Sequence, residues 1–316
     1  MKVDDTLWQK LLELKNKTIT KNILGWAFNG KSFSEIYSIV NLNTNYTAIL
    51  LKSNSELSEN TNLSSYRRIK IPFEGLLFFV YTNISSELLA VLQNYWPLSV
   101  LCHLNTNLPY IFIHSATSLD GYLATTSGSS QWIGNDENLI HAHRLRALFD
   151  SVLVGGKTVL NDKPSLNVRH VKGDNPKRLI LSNKCKNLSS LKKIANCKTY
   201  LLRDLEYSYD DYTNHFDKII SFKGKSKKDK ILDLLQKCKD ENITSILIEG
   251  GGTTLSTFIE TKFAKTIQFH ISPMLFGSGI KAVKLPAVNL VNETHKLKNM
   301  YVTQIGNSFM ITAGLV

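Results

Sequence analysis

The chain has 316 residues, of which 43% are hydrophobic and 20% charged, a composition typical of a globular protein with a packed core. No apolar run approaches the roughly 20 residues of a membrane span, and the N-terminus has no signal-peptide pattern, so we expect a cytoplasmic protein without a membrane contact. The four cysteines form no C-x-x-C pair, which argues against zinc sites and disulfide frameworks. The net charge of +12 suits phosphorylated small molecules, and because the basic residues form no single stripe we expect no nucleic-acid partner.

The first part of the chain, residues 1–105, predicts a small α+β domain that carries no chemistry we can identify. Helical apolar spacing predicts a helix over residues 7–14. Branched and aromatic runs predict two strands, Tyr46–Leu51 and Leu76–Tyr81. A second helix, Ser86–Trp96, should end at Pro97, because proline lacks the N–H that continues a helix.

A polar stretch, His103–Pro109, marks the start of a second domain, residues 106–316, in which strands alternate with helices. The predicted strands are 110–117, 151–154, 178–181, 199–202, 219–222, 245–248, 267–271 and a run over 300–313, and the predicted helices are 138–149, 227–239 and 254–261. Alternation followed by consecutive strands predicts an α/β sheet, mainly parallel, with an antiparallel end.

A triple-glycine turn, Gly250–Gly252, follows the strand at 245–248 and precedes a helix with Thr253 and Thr254 as candidate caps. Glycines let the backbone approach a ligand, and a helix N-terminus favours a pyrophosphate. The order of the glycines is neither the G-x-G-x-x-G fingerprint nor a P-loop. By itself, such a turn is more often only a tight turn.

Two other predicted strands end in the same way, in small or hydroxyl-bearing residues. One runs into an Asp-Gly turn at Asp120, and the other runs into Gly155 and Gly156. Arg144 and Arg146 lie on the helix between them. Ligands of open α/β sheets bind at the carboxyl ends of strands, so three such ends indicate a cleft for two phosphate-bearing molecules.

Residues from about 110 to 316 resemble the reductase domain of the bifunctional riboflavin-biosynthesis deaminase/reductase family. The resemblance rests on SATSLDGYLA, SGSSQWI, RLRALFDSVLVGGKTVLNDKPSLNVR, ILIEGGGTTLSTFIE and ISPMLFG. It implies a dihydrofolate-reductase-like α/β fold, NADPH as the cofactor, a phosphorylated pyrimidine as the substrate and a homodimer. The implied reaction is hydride transfer to the C1′ atom of a ribosylamino group, which gives the ribitylamino product in riboflavin biosynthesis.

The resemblance also assigns the site residues. Substrate contacts fall on Ser130, Arg146, Leu166, Arg169 and Glu249. Cofactor contacts fall on Ala116, Trp132, Thr158, Asp162, Ser182 and the helix start Gly251, Gly252, Thr253, Thr254, Leu255 and Ser256. The two arginines would grip the phosphate through bidentate charge-assisted bonds, Glu249 would accept from ring or ribose donors, and Leu166 would cover the ring. Asp120 and Lys157 are candidate catalytic proton donors, although Asp120 could equally serve only its turn.

Two departures from the family pattern matter. Where the family has Asp-Ser after the strand at 178–181, this chain has Ser182 and Asn183, followed by Lys184 and Lys186, which favours NADPH over NADH. The H-x-E and P-C-x-x-C motifs of the zinc deaminase are missing, so we expect neither a bound metal nor deamination.

Three alternatives remain open at this point. The same fold could act on a pterin or a specialised-metabolite pyrimidine, since a fold does not decide the substrate. The chain could instead be a non-catalytic module that senses a nucleotide while its N-terminal part binds a partner. Nucleic-acid binding, suggested by the charge alone, has the least support.

Overall fold

The computed structural model describes residues 2–17, 23, 25–36, 46–52, 65–74, 76–104, 106–130, 133–183, 194–207 and 216–316. Two large β-sheets, of five and nine strands, organise this part of the chain, and a two-stranded ribbon accompanies them. None of the helices in these residues combines the length and the apolar character that crossing a membrane requires.

The N-terminal unit is an antiparallel five-stranded sheet, in the order β2-β1-β3-β5-β4, with two helices. Its elements are α1 (Asp5–Asn16), β1 (Gly25–Phe28), β2 (Phe33–Ile36), β3 (Ala48–Lys52), β4 (Tyr66–Ile69), β5 (Leu76–Tyr81) and α2 (Ser86–Ser99), followed by a 3₁₀ turn at Leu101–His103. Both predicted strands and the first predicted helix are confirmed. The other three strands have only four residues each, too few to show a periodicity.

The second helix does not end at Pro97 as predicted but continues to Ser99. A proline removes the N–H that would bond the carbonyl four residues back, here that of Gln93. The hydroxyl of Tyr301 donates to this carbonyl at 3.2 Å, so the acceptor has a partner from outside the helix. The prediction was wrong because the compensating residue lies far away in the chain.

The second part of the chain forms the nine-stranded sheet, in the order β11-β10-β9-β8-β12-β6-β13-β16-β15. Its elements are β6 (Tyr110–Ser118), β7 (Tyr122–Ala124), α3 (Asp136–Leu148), β8 (Ser151–Gly155), α4 (Gly156–Asp162), β9 (Lys177–Leu181), β10 (Thr199–Asp204), β11 (Lys218–Phe222), α5 (Lys227–Asp240), β12 (Ser245–Ile248), α6 (Gly252–Glu260), β13 (Ala264–Ser272), β14 (Ile280–Lys281), β15 (Leu297–Ile305) and β16 (Ser308–Leu315). A 3₁₀ turn at Val291–Glu293 precedes β15. All neighbours from β11 to β13 are parallel, and β16 and β15 are antiparallel, which confirms the predicted class.

One apolar core runs between the N-terminal unit and the larger sheet. Helices α5 and α6 cover one face of that sheet. The other face packs in a single cluster with α1, α2 and α3, whose members include Trp8, Leu11, Trp96, Leu145, Leu148, Phe112, Val152 and Leu247. Side chains from before and after residue 105 belong to the same apolar cluster. The division of the chain into two domains at this point therefore stays a prediction.

Candidate functional site

Three strand ends meet at one edge of the larger sheet. Strand β12 lies between β8 and β6, and all three are parallel, with Ile248 opposite Leu153 on one side and Ile113 on the other. The next residues along the chain therefore leave the sheet side by side. They include Glu249 after β12 and Gly156 after β8, while β6 continues past them to Ala116 and beyond. This edge is where an open α/β sheet binds its ligands.

Helix α6 begins at this edge without a side-chain cap. Its N-cap is Gly251, so the prediction that Thr253 or Thr254 caps the helix was wrong, and both lie inside its first turn. The N–H of Gly251 donates to the Thr158 hydroxyl of α4 at 3.2 Å, which joins two predicted cofactor residues. A helix start with no side-chain cap offers N–H groups and a positive dipole to an anion.

Most glycines at this edge make room for protein atoms. A Cβ on Gly252 would lie 2.3 Å from the Lys281 carbonyl oxygen, and one on Gly155 would lie 2.6 Å from the Thr254 hydroxyl oxygen. Gly251 differs, because its nearest neighbour would be the Thr158 hydroxyl oxygen at 3.4 Å. A side chain therefore has room at Gly251 and none at Gly252.

A matched pair of substitutions separates packing from ligand approach. We expect Gly252→Ala to lower the free energy of unfolding by about 2 kcal/mol, because the new methyl group must displace a backbone carbonyl. Gly251→Ala should change stability by less than about 0.5 kcal/mol, because its φ of −69° is ordinary for any residue. Urea denaturation of both variants measures the difference, and equal losses would contradict this account of the turn.

The residues that follow in α6 are largely buried. Leu255 lies in the core, and Thr254 is buried as well. The Ser256 hydroxyl donates to the Gly252 carbonyl at 2.5 Å and accepts from the Lys284 N–H at 2.7 Å. The Ser256 hydroxyl thereby holds the backbone at Lys284 against the helix. Thr253 alone among the predicted residues 252–256 has an exposed side chain.

The predicted substrate residues Arg146 and Glu249 are bonded to each other. The Arg146 Nε and Nη2 atoms donate to the two carboxylate oxygens of Glu249 at 2.8 and 2.6 Å. Arg146 Nη1 donates to the Asn167 carbonyl at 3.3 Å, and both charged side chains are only 12% exposed. Burial works to lower the pKa of the Arg146 guanidinium, but Glu249 outweighs it and the pKa is raised. A phosphate would therefore meet an arginine that already has a bidentate partner.

Arg169 is the more accessible cation of the two. Its side chain is exposed, and its Nη1 donates to the Asn167 side chain at 3.0 Å. Partial burial and the neighbouring Arg146 lower the pKa of Arg169. Two guanidinium groups whose charges repel each other in this way would both be stabilised by an anion bound between them.

A residue that the sequence analysis did not assign to the site, His143, supports this pair. Its Nδ1 accepts the backbone N–H of Arg169 at 3.2 Å. Burial, followed by the charges of Arg146 and Arg169, lowers the pKa of His143 to about 3. The imidazole is therefore neutral at physiological pH. The only signal in the sequence is its position three residues before Arg146.

Leu166 lies in the same loop with its side chain in the core, 2% exposed. Its φ of 55° is in the left-handed region, which is strained for a bulky side chain and must be held by the surrounding structure. The prediction that this side chain covers a ring would require it to leave the core. What Leu166 contributes in this structure is the path of the backbone that leads to Arg169.

The two candidate proton donors differ. The Asp120 carboxylate accepts from the Ser118 hydroxyl at 2.6 Å and from the N–H of Gly277 at 2.7 Å, and it also accepts from the N–H of Phe276. The Ser118 bond is the main reason that the pKa of Asp120 is lowered. The Ser118 bond lies within the turn that the sequence analysis considered, and the bonds from Phe276 and Gly277 join this turn to a second loop. Lys157 lies exposed in the first turn of α4.

The remaining predicted residues are spread along the edge. Ser130 is exposed, and Asp162 is the exposed last residue of α4. Ala116 of β6 lies opposite His270 of β13. Ser182 follows β9. Trp132, Lys184 and Lys186 lie outside the described residues. Within the part of the chain that the structure describes, no cluster of three His, Cys, Asp or Glu side chains has the arrangement of a metal site.

A mainly parallel sheet with an antiparallel end, and with the uncapped start of α6 directly after its central strand β12, defines an α/β protein. The chain belongs to the RibD C-terminal domain family, whose model matches residues 109–311.

Three comparisons describe this relationship. The riboflavin biosynthesis protein RibD of Aquifex aeolicus is 31% identical over 207 residues, which cover 64% of this chain and 57% of that protein. The 2,5-diamino-6-ribosylamino-4(3H)-pyrimidinone 5′-phosphate reductase of Archaeoglobus fulgidus is 24% identical over 217 residues, which cover 65% of this chain and 97% of that protein. The solved structure of the riboflavin biosynthesis reductase Rib7 of Saccharomyces cerevisiae superimposes with a TM-score of 0.57 at 24% identity, over 73% of this chain and all of that one.

The likeness to Rib7 confirms the predicted fold class. The chain spans less than two thirds of the length of the RibD proteins it matches, 57% in the Aquifex aeolicus case. The shared segment begins near residue 109, so the N-terminal unit lies outside the family match.

Proposed function

We propose that this protein is an NADPH-dependent reductase of riboflavin biosynthesis. Its substrate in this proposal is 5-amino-6-(5-phosphoribosylamino)uracil or a close relative, and its product carries a ribityl chain in place of the ribosyl group. The observation that carries the proposal is that the uncapped start of α6 lies two residues after Glu249, whose carboxylate bonds Arg146, the electrostatic neighbour of Arg169. The family match and the names of the Archaeoglobus fulgidus and Aquifex aeolicus proteins support the substrate class.

The two anion sites have separate roles in this proposal. The N-terminus of α6, with Gly251 and the Thr158 hydroxyl beside it, would hold the pyrophosphate of the cofactor. Arg169 would bind the substrate phosphate, and the Arg146–Glu249 pair would support it and meet the sugar or the ring. When bound, NADPH supplies the hydride. The chain's own contribution is to hold cofactor and substrate in the relative position and orientation that hydride transfer requires.

The proton that completes the reduction needs a donor near the sugar. Of the two candidates, Lys157 fits better, because the Asp120 carboxylate already accepts three protein donors and its pKa is lowered. Lys157→Met should lower kcat without changing binding of either ligand. An unchanged kcat in Lys157→Met would remove it from the mechanism.

A direct test is the oxidation of NADPH with the phosphorylated substrate and with its dephosphorylated form. We expect turnover only with the phosphate present. Equal turnover of both forms would point to the pterin-like alternative, which offers no phosphate to Arg169. Binding of NADPH without any turnover would favour the nucleotide-sensing alternative.

The preference for NADPH over NADH is a further part of the proposal. NADH-specific sites place a carboxylate on the ribose 2′-hydroxyl, but Ser182 and Asn183 at the end of β9 carry none. The nearby Asp204 carboxylate is paired with Lys230 at 2.9 Å, a lysine that also bonds Glu206. We expect kcat/KM to be at least about tenfold higher with NADPH, a difference of about 1.4 kcal/mol.

The matched variants for this preference are Ser182→Asp and Ser182→Ala. The new carboxylate should reduce or reverse the preference, whereas alanine should keep it. Steady-state kinetics with both cofactors gives the ratio. A wild-type preference for NADH would overturn this part of the proposal.

A homodimer in the cytoplasm completes the proposal. Strands β15 and β16, at one end of the sheet, expose the apolar side chains of Met300, Val302 and Phe309. Exposed apolar groups that lie together suit contact with a second copy. Sedimentation velocity tests this, and a monomer at micromolar concentration would remove the dimer from the proposal.

A further inference from the structure

Helix α3 lies between the candidate site and the N-terminal unit. On one side, its Arg146 bonds Glu249 and its His143 accepts the backbone N–H of Arg169. On the other side, His141 and Arg144 face residues of α1 and α2. A displacement of this one helix would therefore move both arginines of the site.

The middle of α3 is held by Tyr95 of α2. The Tyr95 hydroxyl and the His141 Nδ1 are 2.7 Å apart, and His141 Nε2 lies 2.7 Å from the Gln268 side-chain oxygen of β13. Because that oxygen can only accept, Nε2 is the donor and Nδ1 accepts from Tyr95. All three side chains are buried, so each bond fixes the rotation of α3 between α2 and the sheet.

Arg144 fixes the same face of the helix. Its guanidinium lies 5.8 Å from the ring centre of Trp8 and 5.6 Å from that of Tyr95. Arg144 Nη1 also donates to the Tyr95 hydroxyl at 3.5 Å. The Trp8 indole N–H donates in turn to the Lys172 carbonyl at 2.9 Å, three residues after Arg169. The N-terminal unit thus holds both chain segments that carry the arginines.

Lys15 of α1 binds the C-terminal end of α3. Its ammonium group donates to the Ala147 carbonyl at 2.9 Å and to the Phe149 carbonyl at 3.4 Å, directly after Arg146. A cation at this position satisfies carbonyls that the helix leaves unpaired and complements the negative end of its dipole. Burial lowers the pKa of Lys15, and Asp150 counteracts this.

We propose that Lys15 and Tyr95 are positioning residues for the substrate phosphate and that the N-terminal unit is an integral support of the reductase site. Neither residue touches the site itself. They act through α3, which places Arg146 beside Glu249 and His143 beside Arg169. The expected change in substrate KM rests on the proposed function, whereas the expected change in the stability of α3 does not.

The kinetic test uses Lys15→Met and Tyr95→Phe in the full chain. We expect KM for the phosphorylated substrate to rise about tenfold in each, because small displacements of binding groups are costly. The kcat value and the KM for NADPH should stay within about twofold of wild type. Lys15→Arg, which keeps the cation, should restore KM.

The control is Ile49→Val in β3, a buried residue in an apolar cluster that includes no residue of α3. It should leave every kinetic constant unchanged, although it destabilises the N-terminal unit. Substrate KM values in Lys15→Met and Tyr95→Phe that match this control would overturn the proposal. A parallel fall of kcat and of NADPH binding would also overturn it, because that result indicates general unfolding.

Hydrogen exchange separates this proposal from the proposed function. Even if the wild-type protein reduces no pyrimidine, hydrogen exchange at the backbone amides of residues 145–149 and 169–172 still shows whether the N-terminal unit stabilises these two segments. We expect about tenfold faster exchange there in Lys15→Met and not in Ile49→Val. Unchanged exchange at these amides would sink the positioning role, whatever the substrate is.

Discussion

Replacing Glu249 with Leu is expected to lower the free energy of unfolding by about 3 kcal/mol, because it leaves a buried guanidinium without its carboxylate. Arg146 is bonded to Glu249 through two donors, and both side chains are 12% exposed. The remaining bond, to the Asn167 carbonyl, provides no negative charge. Urea denaturation monitored by tryptophan fluorescence measures the loss.

The double variant Arg146→Met with Glu249→Leu is the control for this result. Replacing both members of a buried pair with apolar groups of similar size is often close to neutral. We therefore expect the double variant to recover most of the stability that the single variant loses. A loss below about 1 kcal/mol in the single variant would show that the pair is solvated like a surface salt bridge.

Arg169→Ala is expected to lower kcat/KM for the phosphorylated substrate about 100-fold, because charge-assisted bonds to a phosphate contribute about 2–3 kcal/mol. The effect should lie mainly in KM, since the phosphate is remote from the reacting carbon. Stability should stay within about 0.5 kcal/mol of wild type, because the side chain is exposed and its Nη1 donates to the neighbouring Asn167 side chain.

Arg169→Lys provides the matched control. It keeps the positive charge but loses the planar, bidentate geometry, so its kcat/KM should lie between wild type and Arg169→Ala. Steady-state kinetics at two salt concentrations distinguishes charge from geometry, since the charge contribution weakens with salt. An Arg169→Ala variant with an unchanged KM would place the phosphate elsewhere.

The sequence was sufficient to place most strands of the larger sheet along the chain and to predict its mainly parallel class. The strand Ser245–Ile248 is a short, mainly apolar run followed by Glu249 and then three glycines, and that pattern predicts the edge where ligands bind. It was not sufficient to say what each glycine does. Gly252 and Gly251 are neighbours in the chain, yet of the two only Gly252 packs against a backbone carbonyl, that of Lys281 in strand β14.

Pairings between distant side chains were also beyond the sequence. Arg146 and Glu249 were each assigned to a ligand, and nothing in their separate segments indicates that they bond to each other. The same holds for Pro97, whose place inside α2 depends on Tyr301. Local patterns predict elements and their ends, whereas these contacts depend on how the elements pack.

The N-terminal unit shows the same limit on a larger scale. Its residues have no motif, and from the sequence it was a separate domain of unknown purpose. In the structure, Trp8 and Lys15 of α1 and Tyr95 of α2 contact α3 and the loop after Arg169. Such contacts have no local signature, because each joins residues of two different elements.

The most direct test of the central claim is the fate of the hydride. NADPH carrying deuterium at both hydrogen positions of the nicotinamide C4 atom is incubated with the protein and the phosphorylated ribosylamino-pyrimidine, and the product is analysed by mass spectrometry. We predict a ribitylamino product with one deuterium at the C1′ carbon, and its loss in Arg169→Ala at low substrate concentration. Oxidation of NADPH without deuterium in a ribityl chain, or no oxidation at all, would contradict the assignment of this chain as a reductase of riboflavin biosynthesis.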